Sequence, residues 1–236
     1  MGKRIAITLL LAGLVSLSRA QSPTSTPTPA PSPPPANPVQ TTAATPTPTP
    51  AAVIGTELVV SIPEQKLAVV VNGKIYRTYK ISTSRYGEGD TLGSWCTPTG
   101  HLVIANKIGG TVPFGGVFEG RRFTGEILSV NAPGRDPIVS RIIWLRGQEY
   151  ANKNAYHRCI YIHGTPQEDL LGKKSSYGCI RMASGDIMEL FNWVATGTGV
   201  SILDKGLARA VKELFDDRKL MATNNAKPEG RGMLVR

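Results

Sequence analysis

Leu58-Val59-Val60-Ser61-Ile62-Pro63-Glu64-Gln65-Lys66-Leu67-Ala68-Val69-Val70-Val71-Asn72-Gly73-Lys74-Ile75-Tyr76-Arg77-Thr78-Tyr79-Lys80-Ile81 is the stretch that decides the fold. Its two apolar, β-branched runs flank a turn at Pro63-Glu64-Gln65, as two short strands would. Asn72-Gly73 supplies the positive φ angles of a tight hairpin turn, and residues 74–81 return as a third strand. The three form a β-meander, and a folded domain begins near Glu57.

Downstream, residues 82–100 are rich in Gly, Ser and Thr and end in Thr97-Pro98-Thr99-Gly100. That is loop chemistry before a short strand at 101–104. Further short apolar runs lie at 138–145 and 159–162. One helix is expected within this region: Ser184 caps it, Asp186 suits its first turn, Ile187, Leu190, Phe191 and Val194 share a face, and Gly197 ends it. Residues 199–203 read as a closing strand, and 207–220 as an amphipathic helix before a basic tail. Many short strands with few helices indicate a mainly β domain, a sandwich or barrel rather than a parallel α/β sheet.

Upstream, Lys3-Arg4, an apolar run from Ile5 to Leu17 and Ser18-Arg19-Ala20 have the parts of a secretory signal, with cleavage expected after Ala20. The run is short for a hydrocarbon core that needs about 20 residues, so a retained anchor is the lesser reading. No Cys follows it to carry lipid. Residues 21–53 are dominated by Pro, Thr, Ser and Ala without a charged residue, a composition that buries no core and reads as a disordered spacer. The domain is then 54–205, followed by a helix and tail at 206–236. A net charge of +10 suits polyanions. Export turns that attraction from nucleic acid towards wall carboxylates or envelope phosphates, or leaves it as a solubilising surface.

Three cysteines, at 96, 159 and 179, leave at least one thiol unpaired within a monomer. Cys179 follows Gly178, a permissive backbone position beside which consecutive N–H groups can face an oxyanion. Arg181 stands near enough to favour a thiolate. His163 ends an apolar strand before Gly164-Thr165-Pro166, where its ring would project at a strand edge as a general base. Alone, such a His is commonly a structural hydrogen-bonder and such a Cys a small buried hydrophobe.

Taken together, Ile162-His163-Gly164-Thr165 and Ser176-Tyr177-Gly178-Cys179-Ile180-Arg181-Met182 closely resemble the active-site signature of the L,D-transpeptidase catalytic domain (YkuD-like) family. The opening meander, Thr97-Pro98-Thr99-Gly100, Ile142-Ile143-Trp144-Leu145 and 186–202 are similar to it too, so the likeness spans about 56 to 204. The resemblance implies a β-sandwich of two mixed sheets with one flanking helix and a C-terminal helix. It implies Cys179 as nucleophile and His163 as base, the imidazole oriented by the Gly164 carbonyl, with the N–H groups of Gly178 and Cys179 as oxyanion donors. Ser176, Tyr177, Thr165 and Arg181 would serve substrate binding, Arg181 by holding a carboxylate or steadying the site. Tyr177 departs from the family, many of whose members carry a second histidine there.

The activity implied is acyl transfer from peptidoglycan tetrapeptide stems to an amine or water, by an exported monomer of the periplasm or cell wall. No cofactor or metal is expected: His101, His157 and His163 lack short paired ligand spacing. A sortase-like transpeptidase and a non-catalytic wall-binding module are the alternatives, although sortases place His far upstream of Cys. Cys96 and Cys159 either pair or stay as two buried thiols, the preferred reading. Trp144, Tyr150 and Tyr156 either line the cleft or pack in the core.

Overall fold

The computed structural model describes residues 55–225, with side chains described to 216. The expected signal, the spacer and the tail beyond 225 lie outside the described residues. Ten strands and two α-helices follow in the order β1 (Thr56–Ser61), β2 (Lys66–Val71), β3 (Lys74–Ser82), β4 (Gly100–Ile108), β5 (Gly116–Glu119), β6 (Arg122–Ile127), β7 (Ile138–Gly147), β8 (Tyr161–Gly164), β9 (Ile180–Met182), α1 (Ser184–Trp193), β10 (Gly199–Leu203) and α2 (Leu207–Asn225).

The meander is antiparallel throughout, and Asn72 and Gly73 hold φ of 49° and 79° as the hairpin turn requires. Leu58, Val60, Ile62, Leu67 and Val69 enter the main core. The alternate residues Val59, Ala68 and Val70 are buried as well, under Leu207, Ala210 and Val211 of α2. A sheet covered on both faces needs apolar residues at every position, which is why these strands read as unbroken runs.

The mainly β class with two helices is as expected, but the strands do not divide clearly into two sandwiched sheets. They form one sheet in the order β4-β10-β1-β2-β3-β9-β8-β7-β5-β6, and a further pairing of β4 with β7 closes the first eight into a barrel-like ring. The long β7 makes this possible. Residues 138 and 139 pair with β5, and 142–147 pair with β4. Between them the register shifts at a bulge where Ser140 has φ 65°, and a bulge turns a strand onto a new neighbour. The sheet is mixed, because β1/β10 and β8/β9 run parallel.

Ile187, Leu190 and Phe191 of α1 pack into the main core. Ser184 begins this helix rather than capping it: the capping acceptor is the Glu168 carboxylate, 2.8 Å from the Ser184 nitrogen. The helix ends at Trp193, and Gly197 (φ 88°) lies in the turn beyond. The β5–β6 hairpin had no expectation, since all six β6 residues are exposed and carry no alternation to read.

Candidate active site

In β8 and β9 Ile162 lies opposite Ile180 and His163 opposite Arg181. Side chains alternate along a strand, so Ile162, Ile180 and Met182 enter the core while His163 and Arg181 face the other way. Cys179, two residues before Arg181, falls on that second side. There His163, Cys179 and Arg181 line a cavity of about 280 Å³ with Trp95, Asp136 and Cys159. A second cavity of about 310 Å³ is lined by Leu92, Trp95, His157, Arg158 and Tyr177, and it too reaches Cys179. Tyr177 and Cys179 belong to both, so the thiol sits where two openings meet.

His163 is buried, with Nδ1 2.8 Å from the Gly164 carbonyl oxygen. A carbonyl only accepts, so Nδ1 carries the hydrogen and Nε2 keeps its lone pair. Burial pushes the imidazole down to about 4; the Gly164 bond opposes this and the Arg181 charge adds to it. Gly164 admits no side chain, since a Cβ there would meet the Val139 carbonyl oxygen at 2.5 Å.

The Cys179 thiol donates to the Cys159 carbonyl and accepts from the Tyr161 N–H, each at 3.4 Å. Burial pushes it up to about 11, outweighing the Tyr161 N–H and the Arg158 and Arg181 charges. The expectation that Arg181 draws the thiol into the thiolate range is therefore corrected: desolvation dominates, and the resting pair is neutral thiol and neutral imidazole. No hydrogen bond joins the two among the described residues. They share a cavity.

Arg181 is 2% exposed and its terminal nitrogens are occupied. Nη1 donates to Ser175, and Nη2 to Gln167 and Thr165, with the Asp136 carboxylate 2.9 Å away. Of the two roles considered for it, the geometry supports steadying the site and not holding a substrate carboxylate. Thr165 likewise donates to Asp136 at 2.6 Å. Gly178 has φ 116°, and its N–H donates to Ser176 Oγ at 3.2 Å, so of the two expected oxyanion donors only the Cys179 N–H lacks an acceptor among the described residues. Ser176 Oγ in turn donates to the Cys179 carbonyl, and Thr97 Oγ1 donates to that of Gly178. Two hydroxyls thus clamp the loop that presents the thiol. Tyr177 is half exposed beneath the Arg85 guanidinium, 4.7 Å from its ring centroid.

Asp136 and Tyr161 escaped the sequence reading: one sits in a loop without pattern, the other acts through its backbone. Cys96 and Cys159 are free thiols, each half-buried rather than buried. Trp144 and Tyr156 stack at 4.2 Å, and neither they nor Tyr150 lines the two cavities at Cys179.

A thiol just before β9 and an imidazole on the adjacent β8, both lining one cavity, are the parts from which a cysteine acyl-transfer site is built. The chain belongs to the L,D-transpeptidase catalytic domain family, whose model matches residues 55–202, and the sortase alternative falls with that. YqjB of Bacillus subtilis, which carries the L,D-transpeptidase name, is 27% identical over 70% of this chain and 79% of its own length. YkuD of the same organism is 30% identical over 61% of this chain and 64% of its own, less than two thirds. A solved L,D-transpeptidase from Mycobacterium smegmatis is 17% identical, covering 63% of this chain and 58% of that one at a TM-score of 0.41, a likeness that carries no functional argument. No helix of the described residues is long and apolar enough to cross a membrane.

Proposed function

We propose that the chain is an exported L,D-transpeptidase that forms a Cys179 acyl-enzyme with peptidoglycan tetrapeptide stems and passes the acyl group to an amine or to water. One observation carries the reading: His163, its Nδ1 tied to Gly164, and Cys179 line the same cavity. Export rests on residues 1–20 read as a signal, with 21–53 as spacer, 54–205 as the catalytic domain, 206–236 as appended helix and tail, and a monomer acting in the periplasm or wall.

In this mechanism the thiol leaves the Cys159 carbonyl and attacks the carbonyl that joins the stem's diamino acid to its terminal D-alanine. His163 Nε2 takes the thiol proton as the C–S bond forms, because burial disfavours a resting thiolate at Cys179 and a resting imidazolium at His163. The Cys179 N–H receives the oxyanion. Nε2 then returns the proton to the departing D-alanine nitrogen as the C–N bond breaks, leaving a thioester. An incoming amine or water loses a proton to Nε2, attacks the thioester and restores the thiol. Arg181, Asp136 and Thr165 hold the strand ends in register, and Tyr177 and Ser176 border the substrate.

Intact-mass analysis tests this. A carbapenem and, separately, a disaccharide tetrapeptide are incubated with the protein and its Cys179→Ala variant. A covalent adduct confined to the unsubstituted protein, with cross-linked or trimmed stems, is expected. Folded protein that forms no adduct and leaves stems unchanged would leave the wall-binding module as the better account.

A further inference from the structure

The two arginines that line the cavities at Cys179 are both occupied. Arg181 is bound to Asp136, and Arg158 donates to Asp90 at 2.8 Å and to the carbonyls of Gly89 and Cys96. A third guanidinium comes from the β5–β6 hairpin. Glu119 and Arg122 are partners in its register, so the turn is Gly120-Arg121, with φ 53° and 67°. A two-residue turn with positive φ at both positions favours Asn followed by Gly, and an arginine at the second costs on the order of 1 kcal/mol.

The side chain kept at that cost is directed, not loose. The Arg121 guanidinium lies over the Trp144 ring, 4.9 Å from its centroid, and Trp144 stacks on Tyr156. Nη1 is 3.4 Å from Tyr161 Oη and 3.8 Å from Cys159 Sγ, both long contacts. Arg121 is exposed and makes no ion pair among the described residues, which leaves most of its five donors available. Cys159 lines the His163 cavity, and so does Ile138, the partner of Phe118 in β5. The hairpin tip therefore stands at the rim of that cavity.

We infer that Arg121 is the residue that binds a carboxylate of the donor stem peptide. The inference rests on the function proposed above. A planar fork held against an indole is preorganised to grip a carboxylate through two parallel hydrogen bonds, which a lysine does not reproduce. Two carboxylates qualify, that of the terminal D-alanine and that on the side chain of a diamino acid bearing one.

The test measures binding, apart from turnover. Three tetrapeptides, one with both carboxylates free and one with each amidated in turn, are titrated into Cys179→Ala protein and into the same protein carrying Arg121→Gly or Arg121→Lys. The free peptide is expected to lose about tenfold in affinity on Arg121→Gly and to recover only in part with Arg121→Lys. The peptide amidated at the recognised group should bind weakly to all three proteins, which tells the two carboxylates apart. Glycine suits the left-handed turn, so Arg121→Gly is expected to melt no lower than its parent. Equal affinity of the free peptide for the Cys179→Ala and Arg121→Gly proteins, or binding of none of the peptides, overturns the inference. The carbapenem adduct at Cys179, read on protein with its thiol intact, reports separately on the transpeptidase reading.

Discussion

The Nδ1 atom of His163 lies 2.8 Å from the carbonyl oxygen of Gly164, the residue that follows it. A backbone carbonyl thus does for this imidazole what a carboxylate does elsewhere: it sets the tautomer and the ring plane. A carbonyl brings no full negative charge, so burial outweighs the Gly164 bond and the more distant Asp136 charge and holds the imidazole down to about 4.

That burial makes stability depend on pH. The folded state disfavours the imidazolium, so the unfolded chain, with His near 6.5, takes up the proton first. The contribution is complete above about 6.5 and is lost as pH falls through 4, amounting to roughly 3 kcal/mol at most. Urea unfolding at pH 7 and pH 4.5 is expected to show this loss in the native protein and a shallower one in His163→Gln. Equal slopes would contradict the burial argument.

The thiol is displaced in the opposite direction, to about 11. Iodoacetamide reacts with thiolate, so labelling of Cys179 in a Cys96→Ser, Cys159→Ser background should rise about tenfold per pH unit from 7 to 10 without a plateau. A plateau near neutrality would mean a resting ion pair with His163.

Gly164→Ala places a methyl against the Val139 carbonyl oxygen and against Ile187 of α1. We expect a loss of about 1–3 kcal/mol in chemical denaturation, with activity falling further because the β7–β8 register carries His163. Unchanged stability would show that β7 yields easily.

Asp136→Ala strips the carboxylate from an arginine that is 2% exposed. An unpaired buried charge costs roughly 3 kcal/mol, and Arg181→Met in the same chain should recover much of it. The two substitutions form a double-mutant cycle in unfolding free energy, in which additivity would deny the coupling.

The runs 58–62 and 66–71 announced the meander, since residues buried on both faces must be apolar at every position. Asn72-Gly73 announced its turn. The β5–β6 hairpin went unread because β6 is exposed throughout and leaves no period. In the site, His163 and Cys179 stood out by residue type and motif. Asp136, the Tyr161 N–H and the Glu168 cap of α1 did not, for each works through a partner distant in the chain.

By itself the sequence determined the β class, the first hairpin, the family resemblance and the thiol–imidazole pair, all of which rest on local pattern or residue chemistry. The tertiary structure alone decided that the sheet closes through β4 and β7, that the Gly178 N–H is taken by Ser176, and that Arg181 serves Asp136. It also decided that thiol and imidazole rest uncharged, since desolvation is set by what packs around a group, and neighbours in space are not written in the order of the chain.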